Sequence, residues 1–159
     1  KAVVYLIKDT NKVWYKKLIN RFIKSEKYDL NRIIFLDPLS YDDYLLHLGK
    51  ASVLLDPIYY GAGNSFFESM LFGTPSVTLP TDHIKSRLVL GAYKQMKIKD
   101  APIAKDIRNY VDLAINYANR DDISELKIKY RKAAEEKLFD TKKAGDEFNK
   151  VILNLFNLN

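Results

Sequence analysis

Two hydrophobic patterns alternate along the first two-thirds of the chain. Short apolar runs occur at residues 3–7, 33–36, 52–55 and 76–79. They are mostly aliphatic or β-branched and show no strict alternation, which is how strands buried on both faces of a parallel sheet read. Between them, apolar residues recur at three and four positions near 13–27, 41–49, 65–72 and 84–95, and this spacing predicts amphipathic helices. Strand–helix alternation predicts an α/β fold, a Rossmann-like parallel sheet flanked by helices. From about residue 104 the pattern is helical throughout. Ile107, Val111, Ala114 and Ala118 mark one helix, and Ile123, Leu126, Tyr130 and Ala133 mark a second. A third starts near Thr141, an N-cap candidate, and carries Phe148, Val151, Ile152, Leu155 and Phe156. The expected organisation is a core over residues 1–103 with C-terminal helices, 104–159, packed on the same domain.

Composition narrows the class. The chain has 159 residues, 47% hydrophobic and 29% charged, which fits one globular domain and excludes a disordered charged tail. No apolar run approaches the roughly 20 residues that span a bilayer, so no membrane span is expected. With no cysteine, disulfides, thiolate-bound zinc and iron–sulfur clusters are excluded, and a reducing cytoplasmic setting is expected. Two histidines far apart in sequence leave no metal site to expect. The chain opens at Lys1 and runs at once into strand-like sequence, so it reads as a piece of a longer protein.

The net charge of +6 invites a nucleic-acid reading, but its distribution argues against one. Residues 1–32 hold nine basic and three acidic side chains, residues 33–96 hold four and six, and residues 97–159 hold thirteen and eleven. The surplus sits in the first fifth, on the first helix, where Lys12, Lys16, Lys17, Arg21, Lys24 and Lys27 surround a stripe of Trp14, Leu18, Ile19, Phe22 and Ile23. That is a solvated outer face or a docking face for an acidic partner. Nucleic acid is not an expected partner.

Chemistry concentrates in residues 56–75. The segment leaves a buried strand at Asp56, passes Gly61-Ala62-Gly63 and enters a helix at Asn64 or Ser65. Glycines permit positive φ and close approach of a ligand to backbone, and a helix start offers unpaired N–H groups to phosphate. Such a loop belongs beyond the carboxyl ends of parallel strands, where ligands bind in open α/β sheets. Ser65 and Glu68 carry two readings. They have the spacing of a capping box, and Glu68 also suits the hydroxyls of a ribose. Gly73-Thr74-Pro75 ends the helix. Ser40 with Asp42 and Asp43 reads as a helix start rather than a metal site. His83, Lys85 and Arg87 lie in or just after a loop expected on the ligand side, as phosphate neighbours or as ordinary exposed residues.

Asn31-Arg32-Ile33-Ile34-Phe35, the Gly-Ala-Gly-Asn-Ser turn, Phe72-Gly73-Thr74-Pro75-Ser76-Val77-Thr78-Leu79-Pro80, Ser86-Arg87 and Leu138-Phe139-Asp140-Thr141 resemble O-linked N-acetylglucosaminyltransferases and their SPINDLY-like relatives. The resemblance runs in register from about residue 31 to residue 156 and is most specific over 31–87. It implies the C-terminal, nucleotide-sugar-binding half of a GT-B glycosyltransferase. The reaction implied moves N-acetylglucosamine or another hexose from a UDP-sugar to a protein hydroxyl or glycan. No cofactor beyond the donor and no metal is implied. The family's diphosphate-binding His-Thr-Thr run falls on Gly63, Asn64 and Ser65, with Gly61 opening the same turn, and its ribose-binding aspartate falls on Glu68. Its uracil-binding lysine, histidine and arginine fall on Tyr41, Tyr44 and His47, with Leu39 at a backbone contact. The family's essential lysine and its acceptor-side domain have no counterpart in these residues; the partner domain is expected in the parent chain. Loss of the His-Thr-Thr run also fits a degenerate, non-catalytic nucleotide-binding or scaffold module.

Overall fold

The first two helix starts of the chain are each fixed by a side chain that accepts backbone N–H groups. The computed structural model describes residues 2–25 and 29–157. Strand β1 (Val4–Ile7) leads to α1 (Val13–Ser25), where the Asp9 carboxylate accepts from the amides of Val13, Trp14 and Tyr15 at 3.0, 3.3 and 3.0 Å. The last two residues expected in this helix, Lys27 among them, lie outside the described residues. Strand β2 (Ile33–Leu36) precedes α2 (Tyr41–Lys50), whose N-cap Ser40 accepts from the Asp43 amide at 3.2 Å and donates to the Asp43 carboxylate at 2.7 Å. Ser40 and Asp43 are thus helix-start chemistry, as their spacing predicts. Then come β3 (Leu54–Leu55), α3 (Asn64–Met70), β4 (Ser76–Val77) and α4 (Leu88–Met96). The chain closes with α5 (Ile107–Ala118), α6 (Ile123–Lys137) and α7 (Thr141–Asn157).

The strands are parallel, as expected, but they form two sheets rather than one. β1 pairs with β2 from Val4 opposite Ile33 to Ile7 opposite Leu36, and β3 pairs with β4 at Leu54–Ser76 and Leu55–Val77. Thr78 continues the second pair as an isolated parallel bridge to Ile103. The free edges of β1 and β3 face a cleft of about 600 Å³ whose walls include Val4, Leu6, Leu48, Val53, Leu54 and Ala114. The expectation of strands buried on both faces holds for β4 and fails for β1, three of whose four residues are exposed. What each pair packs against explains the difference. β2 meets α1 through Phe35, 4.9 Å from the Tyr15 ring and 6.3 Å from that of Phe22, while the other side of β1 has only the cleft.

The core lies elsewhere, between α3, α4 and α6. Phe66, Met70, Val89, Tyr93, Tyr130 and Ala134 are fully buried there, with Tyr93 edge-on to both Phe66 and Tyr130. The Tyr93 hydroxyl accepts from the Ser76 amide at 2.6 Å and donates to the Ser76 carbonyl at 2.9 Å, so a phenol sits in the core with its polar end satisfied by β4. Gly73 ends α3 in the left-handed region at φ +69°, and the Thr74 amide reaches back to Ser69 O at 3.0 Å. A Cβ there would sit 1.9 Å from the Lys127 carbonyl, so packing against α6 requires glycine as strongly as φ does. Among the described residues no helix is long and apolar enough to cross a membrane.

Candidate functional site

Two segments meet at one end of the second sheet: the start of α2 and the turn from β3 into α3. The turn is built by Asp56, the residue after β3. The residue is 2% exposed and, among the described residues, pairs with no cation; Oδ1 accepts the Ala62 amide at 2.6 Å and Oδ2 accepts the Thr78 hydroxyl at 2.5 Å. Burial pushes the Asp56 carboxyl up from its ordinary value, while the bonds from Thr78 and Ala62 pull the other way. The Asp56 amide donates to Val77 O at 3.0 Å and its carbonyl accepts the Tyr110 hydroxyl at 2.9 Å. One residue therefore ties the Gly61–Gly63 turn to β4 and to α5.

The two glycines of the turn differ in why they are glycine. Neither has positive φ; among the described glycines only Gly73 does. Gly61 is buried and donates to Lys85 O at 3.0 Å, and an added Cβ would meet that oxygen at 2.6 Å. Gly63, the N-cap of α3, has open space around a Cβ, with only Leu88 Cδ1 at 3.8 Å. The first helical bonds run from Phe66 and Phe67 to Gly63 O. Among the described residues, the amides of Gly63, Asn64 and Ser65 have no backbone partner. They form a short run of donors next to a loop that carries Lys85 and Arg87.

The capping-box reading of Ser65 and Glu68 does not hold. Gly63 caps α3 with no side-chain bond, so Ser65 is inside the helix and Glu68 does not reach back to cap it. Glu68 instead accepts the Tyr41 hydroxyl across to α2, Oε1 at 3.2 Å. The Tyr44 phenol stands close to Ser65 and Glu68, and the Tyr41 and Tyr44 rings are 6.4 Å apart. The hydrogen bond to Glu68 raises the Tyr41 pKa; for Tyr44, partial burial raises it first, and the Glu68 charge adds to that. Both phenols therefore stay protonated donors at neutral pH. Tyr41, Tyr44, Ser65 and Glu68, named from the sequence as site residues, converge on one surface.

Two others do not join them. Leu39 is half-buried in the loop before α2, and His47 is more than a turn further along that helix. The His47 Nδ1 lies 2.8 Å from the Asp43 carbonyl, which can only accept, so Nδ1 carries the proton. The ring lines the cleft between the sheets. His83 is exposed at the start of the turn Ile84–Ser86, and its carbonyl accepts from Ser86 Oγ at 2.9 Å. Lys85 reaches over the exposed Tyr60 ring at 5.7 Å, and Arg87 lies 3.4 Å from the Thr81 carbonyl. Among the described residues no group of His, Asp and Glu is placed to hold a metal.

Sequence reasoning passed over Asp56, Thr78 and Tyr110. A carboxylate directly after an apolar strand was the available signal for the first; nothing local marks the other two.

The arrangement of these elements has a solved counterpart. The chain shares its fold with an O-GlcNAc transferase. A mutant of that enzyme from Thermobaculum terrenum superposes with a TM-score of 0.75 over 94% of this chain, at 18% identity. The chain spans 30% of that protein's length. No protein-family model matches the sequence, and no curated protein sequence matches it.

Proposed function

We propose that this chain is the donor-binding C-terminal domain of a GT-B glycosyltransferase that uses a UDP-sugar. The sugar, N-acetylglucosamine or another hexose, would pass to a protein hydroxyl or glycan held by a second domain of the parent chain in the cytoplasm. The observation that carries the reading is the Tyr41–Tyr44–Ser65–Glu68 cluster beside the turn at Gly61–Ser65, in a fold shared with an O-GlcNAc transferase.

Glu68 takes the ribose. A carboxylate is acceptor-only and matches a vicinal pair of hydroxyl donors, and the Tyr41 phenol yields its place on Oε1 to a sugar hydroxyl. Tyr44 supplies an aromatic face to the base. The amides of Gly63, Asn64 and Ser65, with the Ser65 hydroxyl and the Asn64 amide, take the diphosphate. Chemistry in such a site is electrostatic: donors fixed in place before reaction stabilise negative charge as the diphosphate departs. Asp56 fixes them by holding the turn.

Titration of the chain with UDP, followed by amide chemical shifts, tests this. Shifts in residues 61–65 and at Glu68 are expected, with Glu68→Ala weakening binding about 10- to 100-fold, the worth of hydrogen bonds to a charged group. No binding at millimolar UDP by the parent chain overturns the proposal. A second reading has one observation in its favour: Gly63 stands where the resemblance implies a histidine. UDP binding without any sugar transfer by the parent chain would select that non-catalytic module.

A further inference from the structure

Nothing in the nucleotide site uses the outer face of α1. From Lys12 to Ser25 the sequence holds five cations, Lys12, Lys16, Lys17, Arg21 and Lys24, and no carboxylate. The inner face of the helix is already seated: Tyr15, Leu18, Ile19 and Phe22 are half-buried, and Tyr15 and Phe22 meet Phe35. With about 100° between successive residues, Val13, Lys17, Asn20 and Lys24 point away from that seat. Arg21 and Trp14 lie on one flank, Lys16 and Ile23 on the other. Trp14 is 68% exposed, and Lys17 Nζ lies 5.1 Å from its ring centroid; Val13 and Ile23 are exposed as well. The Asp9 carboxylate at the start of the helix is occupied by the amides of Val13, Trp14 and Tyr15.

An exposed indole and aliphatics set among lysines are the components of a helix that lies in a membrane interface. Indole and aliphatic groups enter the boundary between headgroups and acyl chains, and the cations meet lipid phosphates and carboxylates. Duplex nucleic acid fits less well. Four of the five cations are lysines rather than the bidentate arginines that suit phosphate recognition, and Val13 and Ile23 gain nothing against a phosphate backbone. We propose that α1 docks this protein on an anionic lipid bilayer, with Lys16, Lys17, Arg21 and Lys24 against the headgroups and Trp14 inserted between them. The helix lies on the membrane and does not cross it. The proposal is independent of what the nucleotide site binds.

Trp14 is the sole tryptophan of the chain, so its emission reports on this face alone. The test mixes the full chain with vesicles of phosphatidylcholine containing phosphatidylserine, against vesicles of phosphatidylcholine only. Vesicle sedimentation and Trp14 emission are read together. Sedimentation with the anionic vesicles, a blue shift of Trp14 and neither effect on the neutral ones are expected. Raising salt from 0.1 M to 1 M, where the Debye length falls from about 10 Å to about 3 Å, should release the protein. Each lysine near an anionic surface strengthens binding about fivefold, so Lys17→Gln with Lys24→Gln should weaken partitioning about 25-fold. Both side chains are exposed, and an unchanged circular dichroism spectrum verifies that the variant folds. No sedimentation with anionic vesicles, sedimentation with Trp14 emission unmoved, or binding indifferent to the two substitutions each overturns the proposal. So does tighter binding to a duplex oligonucleotide with the same Trp14 shift.

Discussion

The two parallel strand pairs of this molecule live in different environments, and the contrast shows where its rigidity lies. β3–β4 borders the region in which Phe66, Met70, Val89 and Tyr93 have no exposed surface, and both residues of β4 are buried. β1–β2 has a longer ladder, yet Tyr5 is 58% exposed and α1 contributes no buried residue. Ladder length therefore does not measure stability here; the side chains packed over the ladder do. The turn at Gly61–Ser65 and Glu68 belong to the well-packed pair. Tyr41 and Tyr44 reach them from α2, between the two regions.

The largest test of the contrast is a pair of truncations. Phe66→Ala empties the centre of the core and should cost about 3–5 kcal/mol. Phe35→Ala, which loosens α1 on β2, should cost about 1–2 kcal/mol because its site is only half-buried. Urea unfolding of both variants measures the gap, and equal losses would mean that the first sheet is as firmly held as the second.

Next in size is Gly73→Ala. A left-handed φ costs a non-glycine residue about 1–2 kcal/mol. The 1.9 Å approach of a Cβ to the Lys127 carbonyl forces α6 to move and adds about 1–3 kcal/mol more. Gly63→Ala, with open space and negative φ, should change thermal stability by less than about 1 kcal/mol. A similar loss at both positions would contradict the distinction drawn between them.

Asp56 joins the well-packed region to the site. Asp56→Ala leaves the Ala62 amide and the Thr78 hydroxyl without their acceptor and should cost about 1–3 kcal/mol. Asp56→Asn tests the charge. Burial raises the folded-state pKa of this carboxyl, so the folded protein holds the proton more tightly than the unfolded chain. Its contribution is fully present below the model-peptide value of about 3.9 and is lost as pH rises through the raised value. Wild type should therefore gain on Asp56→Asn as pH falls through that window. Urea midpoints of the two proteins across acid pH measure the difference, and a constant gap would remove the buried carboxyl from the account.

Much of this was legible in the sequence because period and punctuation are local. The run at 33–36, the helix start at Ser40 and the glycine stop at Gly73 could be read from patterns a few residues long. The last helix does begin at residue 141, but its cap is Asp140 rather than Thr141: the Asp140 carboxylate accepts the Lys143 amide at 2.9 Å. Tyr41, Tyr44 and Glu68 came from the resemblance, and they do meet. What local pattern could not carry is distance between elements. The cleft between β1 and β3 depends on how two ladders sit on different supports, and the link from Asp56 to Thr78 joins residues 22 apart. The Ser65–Glu68 spacing misled for the same reason. A capping box is a local motif, and here a phenol on another helix holds the glutamate.

The smallest effect is the most discriminating for the site. Tyr41→Phe deletes one exposed hydroxyl whose bond to Glu68 is 3.2 Å long, and it should change stability by less than about 0.5 kcal/mol. If Tyr41 only holds Glu68 until a ribose arrives, freeing the carboxylate removes a competitor, and UDP should bind as well as before or slightly better. If Tyr41 instead aims Glu68 at the nucleotide, affinity should fall toward that of Glu68→Ala while stability stays level. Calorimetric titration of the two variants side by side separates a placeholder from a positioning residue, because the fold reads both as the same single hydrogen bond between α2 and α3.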